Sequence, residues 1–155
     1  SACVLRWRPV FTARCWTRDP RDTFLLPDGI KKERRADMKY VDGYVLPVPK
    51  KNLKAYARIA QKAGKVWREH GALEYRECVG DDLDVKWGVP FPKVVKRKPG
   101  ETVVFSWIVF KSRAHRDRIN AKVMKDPRIT AMDPKSMPFD SKRMVYGGFK
   151  ILVEV

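Results

Sequence analysis

One segment near the middle of the chain, Glu101–Phe110, constrains the fold more than any other. Its residues alternate as a β-strand requires, but both faces of that strand are apolar. One face carries Val103, Phe105, Trp107 and Val109, and the other carries Val104, Ser106, Ile108 and Phe110. Helices can cover one face of a sheet, and a large exposed apolar patch on the other face is unusual in a monomer. The sequence therefore predicts a second covering layer, most economically a partner subunit.

The segments around this strand predict a single α+β domain over residues 38–155. Further strands are expected at 39–46, 72–79 and 143–155, and helices before His70-Gly71 and at 112–125. Proline removes a ladder donor, so Pro47-Val48-Pro49 is expected to end the first strand. Gly147-Gly148 predicts a bulge or a close backbone approach in the last strand. The order β-α-β-β-α-β is ferredoxin-like, with a four-stranded antiparallel sheet and two helices on one face.

Three further parts of the chain are the first helix, the long connection and the N-terminal residues. The first helix is amphipathic, with an apolar stripe of Leu53, Tyr56, Ala60, Ala63 and Trp67 at three- and four-residue spacing. The connection at 80–100 is longer than usual and partly apolar, which indicates either function or local packing. Residues 1–37 show no sustained period. We interpret them as an aperiodic extension outside the native domain; the alternative is a basic arm that docks on it.

The composition limits the classes of function. The net charge of +16 would attract polyanions, and Lys93, Lys96, Arg97 and Lys98 form a basic cluster in the long connection. Recognition-helix and RNP-type patterns are absent, however, so we do not expect nucleic acid to be the main partner.

The three cysteines have no metal-ligand spacing and no even count that would indicate a disulfide framework. No apolar run is long enough to span a bilayer. These features predict a cytoplasmic protein without metal or membrane contact.

Four motifs in the right order resemble the YbaA-like family, a bacterial family of unknown function. The motifs are YVDGYVLPVP at 40–49, VFSWI at 104–108, HRD at 115–117 with NAKVMKDPR at 120–128, and MPFDSKRM at 137–144 with YGGF at 146–149. The resemblance covers residues 38–155. It implies membership of the dimeric α+β barrel superfamily and hence a homodimer.

The resemblance leaves the activity open, because the fold of a superfamily does not transfer a reaction. We expect a homodimer that binds a small hydrophobic ligand or has a structural role. The alternatives are an enzyme similar to cofactor-independent or haem-dependent monooxygenases, and an RNA-binding protein. No cofactor is predicted, because the sequence has no glycine-rich phosphate loop, no His-x-x-x-His pattern and no nucleophile elbow.

Candidate pocket residues come from the strands and from the second helix, and no catalytic residue can be assigned. The candidates are Asp42, Tyr44, Tyr75, Ser106, Trp107, His115, Asn120 and Tyr146. His115 and Asp117 are two residues apart on a helix and do not face each other, whereas Arg116 and Asn120 share a face. Asn120 is therefore the better candidate for a polar group that faces a cleft.

Overall fold

The computed structural model describes residues 38–133 and 136–155. The interpretation of residues 1–37 and of Cys3 and Cys15 lies outside the described residues. The elements in chain order are β1 (Tyr40–Pro49), α1 (Leu53–Glu69), β2 (Glu74–Val79), α2 (Phe91–Val94), β3 (Glu101–Phe110), α3 (Arg113–Val123), α4 (Pro127–Thr130) and β4 (Val145–Lys150), with 3-10 turns at Lys50–Asn52 and Ser141–Arg143.

The strands form one antiparallel sheet in the order β2-β3-β1-β4. β1 and β3 pair over their whole lengths, from Tyr40 opposite Phe110 to Pro49 opposite Glu101. This confirms the predicted α+β class and the predicted four-stranded antiparallel sheet. The even-numbered residues of β1 and β3 face α1 and α3, and the odd-numbered residues form the opposite side, which we call the open face.

The core lies between the sheet and the two longer helices. Ile108 and Phe110 of β3 pack with Val66 of α1 and with Ile119 and Val123 of α3. The predicted stripe of α1 is the face that packs here, because residues three and four apart lie on one side of a helix. The Ser112 side chain caps α3, so this helix begins one residue later than predicted.

The first strand does not end at Leu46 as predicted but continues to Pro49. The Lys50 N–H donates to the Gly100 carbonyl, next to β3, with an N–O distance of 2.9 Å. Backbone N–H directions alternate along a strand. The backbone nitrogens of Pro47 and Pro49 are therefore directed away from β3, toward the β4 edge of β1. On that side β4 pairs no further than Val45, so the missing donors break no ladder bond.

The second and fourth strands are shorter than predicted. β2 begins at Glu74, because the Ala72 N–H donates to the Trp67 carbonyl of α1 and still belongs to the end of that helix. β4 begins at Val145, because Arg143 belongs to a turn and binds Glu101 of β3 through both terminal nitrogens, at 2.6 and 2.8 Å. These hydrogen bonds from Arg143 lower the pKa of Glu101 to about 2.

The glycine pair in β4 is a close approach and not a bulge. The register runs without a break through Gly43 opposite Gly147 and Asp42 opposite Gly148. A Cβ atom at Gly148 would lie 2.8 Å from Cε1 of Tyr40, closer than packed carbon atoms come. Glycine is therefore required at 148 for the Tyr40 ring to lie across β4.

The open face is covered in part by the chain's own long connection. Val95 of this connection packs with Val45 and Val103, and Phe91 stacks on Phe105 with ring centroids 6.0 Å apart. Local packing thus accounts for Val95 and part of Phe91, whereas Trp87 and Val89 of this connection are exposed. On the rest of the open face, Val41, Trp107 and Val109 are half-buried and Phe149 is exposed.

We expect Gly148→Ala to destabilise the protein by about 1–3 kcal/mol, because the added methyl group displaces the Tyr40 ring from the core. The matched control is Gly43→Ala in β1, where a Cβ would meet Phe149 at an ordinary 3.6 Å. Urea denaturation of both variants checks this. Equal stability of the two variants would show that the Tyr40 ring adjusts without cost.

Candidate functional site

A cavity of about 410 Å³ lies between α1 and the helix-facing side of the sheet. Tyr44 and Ser106 form part of its floor, and Ala63 and Trp67 of α1 form one wall. The segment that contains α4 and the following turn closes the opposite side with Ile129, Met132, Met137, Phe139 and Met144. The cavity is thus bordered by three strands, a long helix and this segment, and part of it is open to solvent.

A second cleft, of about 800 Å³, lies on the other flank of α1. It is bordered by Arg58, Lys65 and Arg68 of the helix and by Cys78 and Val79 of the edge strand β2. Fewer elements enclose it, and several of its lining residues are exposed side chains. We therefore take the first cavity as the candidate site.

The polar group of the cavity is the carboxylate of Glu77. Tyr56 of α1 donates its hydroxyl to one carboxylate oxygen, and Tyr75 of β2 donates to the other, both with O–O distances of 2.7 Å. Burial raises the pKa of Tyr56 and Tyr75, and the negative charge of Glu77 raises it further. Both hydroxyls therefore remain protonated and act as donors at neutral pH.

A buried polar chain lies beside the cavity and connects to it through Trp67. The Trp67 indole donates to the Asn120 side-chain oxygen at 3.0 Å, and Asn120 in turn donates to Asp42 at 3.3 Å. Arg116 lies 3.6 Å from the second carboxylate oxygen of Asp42, and its guanidinium also donates to the Tyr40 hydroxyl and lies 5.0 Å from that ring's centroid. This chain links β1 to α1 and α3.

Asp42 is the fully buried member of this chain. Burial raises its pKa, and the nearby Arg116 charge and the Asn120 hydrogen bond only partly oppose that effect. Among the described residues, Asp42 Oδ1 and Arg116 Nε have no hydrogen-bond partner, although the two side chains form an ion pair. Asp42 therefore pairs with Arg116 of α3 inside the fold, but burying its charge costs more than this pairing returns.

The structure brings five of the predicted site residues to this region. Tyr44, Tyr75 and Ser106 line the cavity, and Asp42 and Asn120 belong to the polar chain. Their placement follows from strand alternation, because residues two apart on a strand share a face.

Three predicted residues lie elsewhere. Tyr146 of β4 stacks on Tyr44 with ring centroids 5.1 Å apart, on the same side of the sheet but outside the cavity lining. Trp107 lies on the open face and donates to Glu74 at 3.3 Å. His115 accepts a hydrogen bond from the Lys111 backbone at the start of α3, and burial lowers its pKa. His115 is outside both the cavity and the polar chain.

Sequence reasoning missed Glu77, Tyr56 and the methionines of the cavity. The available signal was the spacing of Tyr75 and Glu77, which places a carboxylate and a phenol on one face of a strand. Within residues 38–133 and 136–155, no group of three or more His, Cys, Asp or Glu side chains is arranged to hold a metal ion. In the same part of the chain, no helix is both long enough and apolar enough to cross a membrane.

The fold and the site define a small α+β protein with a largely apolar cavity between its sheet and its first helix. The family described as "Protein of unknown function (DUF1428)" matches residues 39–141. The chain is also 44% identical over 117 residues to the uncharacterized protein YbaA of Escherichia coli K12, which covers 76% of this chain and 99% of that protein. The YbaA of Shigella flexneri matches equally well. The chain belongs to this YbaA-like family, whose function is unknown, as its motifs predicted.

Two solved structures align with most of this chain at low sequence identity. One is the crystal structure of an uncharacterized NIPSNAP domain protein from Burkholderia xenovorans, with 14% identity and a TM-score of 0.46 over 71% of this chain and 91% of that one. Another is the de novo designed protein Foldit4, with 8% identity and a TM-score of 0.36 over 75% and 99%.

We expect Asp42→Asn to change how stability depends on pH. The folded-state pKa of Asp42 lies above its ordinary value of 3.8, so its contribution is fully present below that value and is lost as pH rises through the folded pKa. The free energy of unfolding of the wild type, relative to the variant, should therefore fall as pH rises above the ordinary value of 3.8.

Asp126→Asn is the matched control, with the opposite sign. Hydrogen bonds from Arg128 and His70 lower the pKa of Asp126, so its contribution is present at neutral pH and is lost as pH falls. Denaturation at a series of pH values measures both differences. The same slope for both variants would contradict the assigned role of burial at Asp42.

Proposed function

We propose that this protein is a homodimer that binds a small, largely apolar ligand in the cavity beneath α1. The cavity of about 410 Å³, which is partly open to solvent, carries this proposal, because its size lies within the usual range for small-molecule sites of about 300–1,000 Å³. Its walls are mostly apolar, and its polar groups converge at Glu77. Apolar walls with a few placed polar groups are typical of ligand sites.

The open face supports pairing with a second copy of the chain. Phe149 is 61% exposed and Phe105 is 42% exposed there. Trp107 and Val109 extend the same apolar surface, which the long connection covers only at one end. Charged side chains are found at the β2 edge, where Glu74 and Arg76 pair with each other at 2.9 Å. An apolar centre with charges at its rim is typical of homodimer interfaces.

The strand order supports a finer description of the fold. The order β2-β3-β1-β4, with α1 and α3 on one side, fits a ferredoxin-like domain. Two such sheets that meet through their open faces would form a dimeric α+β barrel. The exposed thiol of Cys78 supports a reducing cytoplasm as the place where the protein works.

We expect tert-butylbenzene to bind the full chain, and Ala63→Phe to weaken this binding at least about fivefold, because the new ring occupies the cavity. The matched control is Ala55→Phe, an exposed position of the same helix outside the cavity. Saturation-transfer NMR measures the probe in each case. Absence of binding to the wild type would refute the ligand site.

We expect Phe149→Glu to convert a dimer of about 36 kDa, twice the 18.0 kDa chain, into a folded monomer. The matched control is Val79→Glu, since Val79 is 56% exposed on a strand but belongs to the helix-facing side. Sedimentation at micromolar concentration distinguishes the two species, and circular dichroism checks the fold. A wild type that sediments as a monomer would overturn the dimer.

A further inference from the structure

The hydrogen bonds at Glu77 determine which chemical groups the cavity can accept. Both carboxylate oxygens already accept one hydroxyl, from Tyr56 and from Tyr75. These two phenols have no further proton to donate, whereas each carboxylate oxygen keeps a free lone pair. The polar end of the cavity can therefore accept hydrogen bonds or positive charge, and it offers a ligand no donor from these groups.

The charges of the residues that line the cavity also favour a positively charged ligand. Glu77 is the one charged residue among the described residues that line the cavity, although the whole chain carries a net charge of +16. Glu77 also borders the second cleft, together with Arg58, Lys65 and Arg68, but within the described part of the chain no Lys, Arg or His side chain forms an ion pair with it. A half-buried carboxylate without an ion-pair partner leaves its charge uncompensated, and a cationic ligand would supply that partner.

The remaining walls suit an organic cation. Five aromatic side chains line the cavity: Tyr44, Tyr56, Trp67, Tyr75 and Phe139. The Trp67 and Tyr75 rings have centroids 6.3 Å apart, and those of Tyr56 and Phe139 are 5.7 Å apart. Ring faces attract ammonium groups, and aromatic cages are a known way to bind quaternary ammonium. Flexible methionines on the far wall can adapt to an apolar body.

We propose that the ligand of this cavity is an organic ammonium ion with a small apolar body, whose positive charge lies among the aromatic rings beside Glu77. This inference rests on the proposed ligand site and specifies the chemical class of its ligand. It assigns Glu77 as the countercharge, and it assigns Tyr56 and Tyr75 as the donors that hold the carboxylate in place.

Three probes of the same shape test this proposal on the full chain: phenyltrimethylammonium, the uncharged tert-butylbenzene and the anionic benzenesulfonate. We expect the cation to bind at least about tenfold more tightly than the uncharged probe, and the anion to bind most weakly. Saturation-transfer NMR titrations give the three dissociation constants.

The variant Glu77→Gln keeps the shape of the side chain and removes its charge. It should abolish the preference for phenyltrimethylammonium over tert-butylbenzene, both measured on this variant. Glu74→Gln is the matched control, because Glu74 lies on the same strand but faces the open side; it should keep the preference. If Glu77→Gln does not fold, the three probes on the wild type still decide the question.

The possible failures are distinguishable. If none of the three probes binds, both the ligand site and this inference are wrong. If tert-butylbenzene binds as tightly as phenyltrimethylammonium, or if benzenesulfonate binds best, the cavity is a ligand site but its ligand is not a cation. A preference for the cation that survives in Glu77→Gln would overturn the role of Glu77.

Discussion

The antiparallel pairing of β1 with β3 is the interaction on which the rest of the structure depends. It extends over ten residues of each strand and lies at the centre of the sheet. Because side chains alternate along a strand, this single register decides what faces the helices and what faces outward. It places Tyr44 and Ser106 in the cavity floor and Trp107 on the open face. A shift by one residue would exchange the two sides.

The helix-facing side of this sheet holds two carboxylates in different electrostatic settings. Asp42 is fully buried and has a guanidinium beside it, so its charge is balanced within the fold. Glu77 is held by two phenols, which donate hydrogen bonds but bring no positive charge. Trp67 contacts both groups, since its N–H donates to Asn120 beside Asp42 and its ring lines the cavity that contains Glu77. Asp42 thus has a positively charged neighbour within the fold, whereas Glu77 has hydrogen-bond donors and no ion-pair partner among the described residues.

Most of the fold could be predicted from local sequence patterns. Alternation predicted β3 with the observed bounds, and the three- and four-residue spacing predicted the buried stripe of α1, because both depend on neighbours within one element. The end of β1 was wrong, because the effect of a proline depends on whether a strand lies beside it. That neighbour, β4, is about a hundred residues away in the sequence.

The candidate site was predictable only in part, for the same reason. Tyr44, Tyr75 and Ser106 were found because strand alternation assigns each of them a face. The bond between Tyr56 and Glu77 joins residues 21 apart, and that between Trp67 and Asn120 joins residues 53 apart. Both depend on how α1 docks on the sheet, which no local spacing specifies. His115 belongs to a polar motif, but its backbone partner at Lys111 keeps it at the start of its own helix.

The two prolines at the end of β1 have a consequence for the behaviour of the protein at high concentration. Beyond Val45 this strand has no neighbour on its β4 side, so it presents a sheet edge. An edge with free N–H groups can recruit a strand from another molecule and begin an aggregate. Pro47 and Pro49 present no such groups there, and the Pro47 side chain is fully buried. This part of the edge therefore offers a strand from another molecule fewer hydrogen-bond donors than an ordinary edge strand would.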